Sequence, residues 1–269
     1  MSQLRIFSYL PNPRIWKATI AARLNGVRVE VRGDAPRELA NWLWDFDAHP
    51  LAEGEREAAA DMARSGRVGI KGRVYKTPEF MAAHPFGNVP AAFSPDGATG
   101  IFESNSIMRA VARLGAAAFP LYGGDAYAAA RVDSFLDVSL VFARDSQIYL
   151  LGLGDGSVTA EMRARTGDAF AVYLGGIEQA LAPDRQFLVG QGLTLADICF
   201  TAEFCLFWNE KARGKMLAEK GLTPILHEGL DADYPNAMAH YYKLCAHPAF
   251  VPDVAPYLEK INEAAAKAA

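Results

Sequence analysis

The segment Gly87–Ser106 (GNVPAAFSPDGATGIFESNS) constrains this chain more than any other stretch of it. It predicts two short strands joined by a turn and running directly into a helix. Val89-Pro90 sets a proline at the mouth of the first strand, where it cannot donate to the ladder. Ser94-Pro95-Asp96-Gly97 is a tight-turn signature, with Gly97 free to take a positive φ. Glu103-Ser104 closes the second strand, Gly100–Phe102, and opens a helix over Asn105–Leu114. A serine at that point caps the helix while backbone N–H groups aim outward, an arrangement that suits a bound carboxylate.

In this order and spacing, Val-Pro, a hairpin and Glu-Ser at a helix start resemble the glutathione site of the thioredoxin-like domain of glutathione transferases. The resemblance implies that Pro90 is cis and that Val89, flanked by Asn88, pairs with the peptide backbone of glutathione. It also implies that Ser104 and the helix N-terminus, with Asn105, take the γ-glutamyl carboxylate, and that Glu103 helps hold the neighbouring ammonium.

The start of the chain agrees with such a fold. Leu4–Tyr9 is β-rich and breaks at Leu10-Pro11-Asn12-Pro13. A helix is expected from Arg14 to Asn25, with Pro13 suited to a first helical position and Asn25-Gly26 as a stop. Val27–Val31 alternates apolar and polar, as a half-buried strand does. Tyr9, the run Arg14–Ala18, Lys76–Phe80, Val89-Pro90 and Phe102–Asn105 together resemble the transferase domain of the gamma subunit of eukaryotic translation elongation factor 1, itself a glutathione-transferase homologue. That similarity covers most of residues 4–33 and 76–210. The separate C-terminal domain of that subunit has no counterpart here, so the expectation is a free-standing transferase of that branch.

Residues at about 34–75 depart from the family as an insertion. Pro36–Phe46 reads as a helix with Leu39, Trp42, Leu43 and Phe46 on one face. Ala52–Ser65 reads as a second helical stretch, and Gly66–Val74 as a loop or short hairpin. The resemblance places this segment beside bound glutathione, so Trp42, Trp44 and Phe46 either line a second-substrate pocket or pack the insertion onto the domain.

Gly115–Gly124 reads as a linker, and a helical domain follows over 125–269. Helices are expected at Asp125–Tyr149, with a break at Gly152–Gly156, then at Val158–Leu181, Ala196–Asn209, Ala237–Cys245 and Val254–Ala268. Leu193–Asp197 is a capping-box-like start. The FLVG and LTLADI runs resemble the transferase C-terminal domain, which makes Thr194 and Asp197 folding residues and not chemical ones. Ala196–Asn209 is apolar on nearly every side and is expected at the centre of that domain.

Composition narrows the function. A net charge of −4 leaves no electrostatic footprint for nucleic acid or an anionic membrane. No apolar run reaches the roughly 20 residues that cross a bilayer, and the first residues resemble neither a signal nor a transit peptide; the cytoplasm is the expected location. Cys199, Cys205 and Cys245 lack CxxC spacing and read as free, reduced thiols. The five histidines form no metal-spaced cluster, so no metal is expected.

The resemblance implies glutathione as co-substrate, whose thiol must be held as a thiolate. One donor at the first strand–helix turn, aided by the positive helix end, suffices for this. The turn Tyr9–Arg14 holds neither Ser nor Cys. Pro11-Asn12 before a helix resembles the nu-class transferases, so Asn12 is the first candidate, with helix capping as its structural alternative. Tyr9 is the second candidate, and Arg14 adds positive potential. Leu10, Trp42, Arg144 and Tyr149 are the candidates for the second-substrate pocket. The expected architecture is an α/β thioredoxin-like N-terminal domain (1–115) followed by an all-α C-terminal domain, in a homodimer. The expected activity is transfer of glutathione to a small hydrophobic, even aromatic, electrophile, ether cleavage included. A glutathione-dependent disulfide reductase and a non-catalytic protein-interaction module are the alternatives.

Overall fold

The computed structural model describes residues 3–66, 69, 70, 72–115 and 120–268. The chain divides into two compact units, Met1–Ala116 and Ala117–Ala269.

Unit 1 begins with β1 (Leu4–Phe7), α1 (Pro13–Asn25) and β2 (Val29–Arg32). Asn12 caps α1, Pro13 occupies its first position, and Gly26 ends it in the left-handed region at φ 67°. The insertion follows: a 3-10 turn over Glu38–Asn41, β3 (Trp42–Trp44), β4 (His49–Pro50), α2 (Glu55–Ala58), a second 3-10 turn over Ala60–Met62, and β5 (Ala63–Ser65). The chain then re-enters the family pattern through β6 (Arg73–Lys76), α3 (Pro78–Ala83), β7 (Ala91–Phe93), β8 (Gly100–Phe102) and α4 (Ser104–Leu114). The first sheet has the order β2-β1-β7-β8, with β1 parallel to β2 and antiparallel to β7. The β7–β8 hairpin closes through Gly97, whose φ is 76° and whose N–H donates to Ser94 O at 2.8 Å. With α1 packed on α4, this is a thioredoxin-like sheet and helix pair.

The insertion differs from its sequence expectation. Pro36–Phe46 is not a helix: after the 3-10 turn, Trp42-Leu43-Trp44 is a strand, parallel to β6 and antiparallel to β4. Its period of two sends both tryptophans inward, a placement that the helical reading of a short aromatic run overlooked. Ala52–Ser65 is α-helical only at Glu55–Ala58, which buries no residue and so has no tertiary packing to extend it beyond the 3-10 turn that follows. β5 then pairs antiparallel with β6, so the described part of Gly66–Val74 belongs to a hairpin. The second sheet reads β4-β3-β6-β5. One buried cluster joins both sheets: Phe7 and Phe93 from the first, Leu39, Trp42, Trp44 and Val74 from the insertion and its return strand, with Phe80 of α3.

Unit 2 is all-helical: α5 (Ala126–Asp155), α6 (Ala160–Leu181), α7 (Leu195–Phe207), a 3-10 turn at Trp208–Arg213, α8 (Gly214–Glu219), α9 (Leu230–Asp233), α10 (Pro235–Cys245) and α11 (Val251–Ala268). The break expected over Gly152–Gly156 falls at its far end, and the helix runs through Gly152. The missing Cβ there lets the start of the next segment approach, since a Cβ at Gly152 would meet Val158 at 3.3 Å. α5 stops at Gly156, φ 79°. α7 is the core as expected, buried at every residue but Leu206. Asp197 holds its start: Oδ2 accepts from Thr194 N–H at 2.8 Å and Thr194 Oγ1 at 2.9 Å, and Oδ1 from Leu188 N–H at 3.0 Å. The linker expected at 115–124 falls partly on residues outside the described set. Among the described residues, no helix is long and apolar enough to cross a membrane.

Candidate active site

The β1–α1 turn is tightly determined. Leu10-Pro11 is a cis peptide, and Leu10 N–H donates to Asp34 O at 2.8 Å. Gly33, φ 149°, lies so close that a Cβ would sit 1.7 Å from Ser8 O; only glycine fits there. Asn12 is fully buried. Its Oδ1 accepts from Arg14 N–H at 3.0 Å and its Nδ2 donates to Ser8 Oγ at 2.9 Å. Oδ1 and one of the two Nδ2 protons are thus engaged within the fold, which makes Asn12 the cap of α1, the structural role weighed for it from the sequence. Tyr9, Leu10 and Arg14 are each half-buried, and Tyr9 packs against the aromatic cluster.

On the facing side of β1, Val89-Pro90 is cis, with Val89 and Pro90 half-buried and Asn88 exposed. Lys76 Nζ donates to Gly87 O at 2.5 Å, fixing the loop just before it. The register Ala91↔Phe102 brings Pro90 level with Glu103. Glu103 has φ 66° and ψ 125°, the one positive φ outside glycine among the described residues. A β-carbon in that region costs energy, and such residues persist where the surroundings impose them. Glu103 is exposed and gives α4 no side-chain cap. The first N–H groups of a helix have no intrahelical acceptor, and they carry the positive end of its dipole.

Ser104 and Asn105 are buried at that helix start. Both meet a residue that the sequence reading did not single out. Lys17, on α1 and fully buried, places Nζ 2.7 Å from Asn105 Oδ1 and 3.3 Å from Ser104 Oγ. The signal was available: Lys17 shares a helix face with Ile20 and Ala21, three and four residues on, and both are core residues. His84, at the end of α3, is also fully buried and stacks on Phe102 at 4.8 Å. Burial holds its pKa below the ordinary imidazole value, against opposing pulls from Asn88 and Glu103.

The pocket candidates fare differently. Trp42 stacks on Phe7 at 5.8 Å within the aromatic cluster, the packing alternative weighed for it from the sequence. Trp44 makes edge contacts with Phe7 and Phe80 and donates from Nε1 to Leu39 O. Phe46 is half-buried beneath the Arg5 guanidinium. Tyr149 is fully buried, its hydroxyl donating to Glu210 Oε1 at 2.6 Å. Burial, then the Glu210 carboxylate, push that phenol far above its ordinary pKa. Tyr149 is thus a core residue of unit 2 and not a substrate contact. Arg144 is exposed on α5.

A family model described as the glutathione S-transferase C-terminal domain matches residues 155–248. The glutathione S-transferase-like protein LUC7 of a Fusarium species is 30% identical over 208 residues, which are 76% of each chain. The chain belongs to the glutathione S-transferase family. This transferase-family chain is also 26% identical over 241 residues to elongation factor 1-gamma 1 of Oryza sativa subsp. japonica, covering 89% of the chain but only 45% of that protein. Among solved structures, a glutathione S-transferase from Methylobacterium radiotolerans, in complex with glutathione sulfonate, superposes with a TM-score of 0.59 at 18% identity. It covers 93% of this chain and 94% of its own, and the shared feature is the fold.

Proposed function

We propose that this chain is a glutathione transferase whose unit 1, with the insertion at about 34–75, binds glutathione, and that it works as a cytoplasmic homodimer. The observation that carries the reading is the start of α4. There an exposed acidic residue held at positive φ, a buried serine and a buried lysine behind it sit level with the Val89-Pro90 loop. A carboxylate over Ser104 and the helix end, an ammonium beside Glu103 and a peptide backbone along Val89 are the three parts of γ-glutamyl-cysteinyl-glycine that such a surface fits. Glutathione binding by related folds supports it.

The cysteine of a ligand so placed points toward the β1–α1 turn. Asn12 is fully buried whereas Tyr9 is half-buried, so we assign the donor role to the Tyr9 phenol, with Arg14 adding positive potential. The thiol gives its proton to solvent. The thiolate, held by Tyr9, then attacks an electrophilic carbon, and the leaving group departs with the bonding pair. Small hydrophobic electrophiles, aromatic ones and aryl ethers included, suit a thiolate activated in this way. Positioning supplies the remaining acceleration.

The test is calorimetric titration of glutathione into the wild type and Ser104→Ala, with turnover of a chlorodinitrobenzene. Loss of one charge-assisted hydrogen bond, roughly 1.5–3 kcal/mol, should weaken binding about tenfold or more. A wild type that ignores millimolar glutathione overturns the reading. The similarity to elongation factor 1-gamma favours a second reading, a non-catalytic interaction module. It predicts capture of a defined partner protein and no turnover.

A further inference from the structure

We propose that Lys17 is a positioning residue of the carboxylate seat at α4, orienting the Ser104 hydroxyl and adding a buried positive charge behind the bound anion. This rests on the glutathione reading above.

The two residues are 87 positions apart, and the contact exists because α1 packs on α4. Lysine Nζ has three donors and no acceptor. Toward Asn105 it meets a carbonyl oxygen, at 2.7 Å. Toward Ser104 it meets a hydroxyl, at 3.3 Å, and that hydroxyl must accept. A hydroxyl that accepts from one side has its own proton to give elsewhere. Ser104 is 7% exposed, so that small open area is the side on which the proton can meet a ligand. Lys17 thereby selects the rotamer in which Ser104 donates outward, the state a carboxylate needs. The same ammonium lies under the positive end of α4, so two fields of one sign overlap where water is excluded and screening is weak. Glu103, exposed at the residue before the helix, presents the opposite charge. The seat therefore discriminates a zwitterionic amino-acid end from a plain amide end, and Lys17 supplies the half that recognises the anion.

A lysine that merely pinned α1 to α4 would weaken all ligands alike. The experiment separates the two roles by pairing glutathione with an analogue whose γ-glutamyl carboxylate is replaced by hydrogen, γ-aminobutyryl-cysteinylglycine. Calorimetry is run with both ligands on the full-length wild type and on Lys17→Met. In the wild type, glutathione should bind at least tenfold more tightly than the analogue. In Lys17→Met that preference should shrink to within about twofold, with analogue affinity little changed. A full preference retained in Lys17→Met overturns the inference while leaving the glutathione reading intact. Absence of glutathione binding by the wild type overturns both. If Lys17→Met does not fold, the two ligands are titrated into lysine-labelled wild type and followed by NMR. The buried Lys17 signal should shift with glutathione and not with the analogue, and equal shifts overturn the inference.

Discussion

Replacing Asn12 with alanine separates a cap from a catalyst. The side chain makes two hydrogen bonds, to Arg14 N–H at 3.0 Å and to Ser8 Oγ at 2.9 Å, in a fully buried position. Loss of an Asn cap costs about 1 kcal/mol. Leaving the buried Ser8 hydroxyl without its donor adds roughly 1–3 kcal/mol. The expected cost is therefore about 2–4 kcal/mol, or a midpoint lowered by about 5–10 °C in a chain of this size. Urea denaturation reads the stability, and chlorodinitrobenzene turnover well below the midpoint reads the chemistry. Asn12→Ala should be destabilised with kcat/KM within about threefold of wild type. Tyr9→Phe should show the reverse: stability within about 1 kcal/mol, kcat/KM down at least tenfold, which is about 1.4 kcal/mol of transition-state stabilisation. The bound thiol of that variant should also titrate closer to a free thiol. An Asn12→Ala protein of unchanged stability with turnover reduced a hundredfold would refute the assignment and return the donor role to the amide.

Two further expectations concern residues displaced from, or unforeseen in, the site. Tyr149→Phe removes the hydrogen bond to a Glu210 carboxylate that also accepts from Ile225 and Leu226 N–H. It should cost about 1–3 kcal/mol by urea titration and leave KM for the electrophile unchanged; a raised KM at wild-type stability would make Tyr149 a substrate contact after all. His84 is held neutral by burial, with a pKa below its ordinary 6.5. As pH falls through that ordinary value, the unfolded chain binds a proton that the fold refuses. Stability should therefore decline on the acid side of about pH 6.5, with a slope of up to one proton. His84→Phe should flatten that part of the curve between about pH 7 and 5.5, and an identical slope in the variant would exclude His84 as its source.

What the sequence made legible follows from how local the determinants were. The turn at Ser94–Gly97 and the caps of α1 and α7 are signals within a few residues, and each appears in the structure where local chemistry places it; Ser104, expected to cap α4, is instead its first helical residue, with Glu103 in the cap position and no side-chain cap bond. The strand β3 of the insertion was hidden because Trp42-Leu43-Trp44 is too short to distinguish a period of two from 3.6, and only pairing with β6, some thirty residues later, decides it. Asn12 was ambiguous for a different reason. A cap and a sulfur donor use the same amide at the same helix end, and only its full burial, with Nδ2 turned to Ser8 Oγ, favours the cap. Lys17 was missed because its partners lie on another helix. A basic residue on an apolar face marks an unusual site, but the residues that make it one are set by packing.

The insertion is moored at both ends to the walls of the proposed glutathione groove. Where it begins, Asp34 O receives Leu10 N–H of the donor turn; where it returns, Lys76 Nζ grips Gly87 O ahead of Val89-Pro90. It behaves as a strut spanning the groove's two rims and not as a detachable flap. Protein engineers who shorten it to widen the electrophile's space should find the tripeptide loosened first, because the same backbone that shapes one pocket sets the gauge of the other.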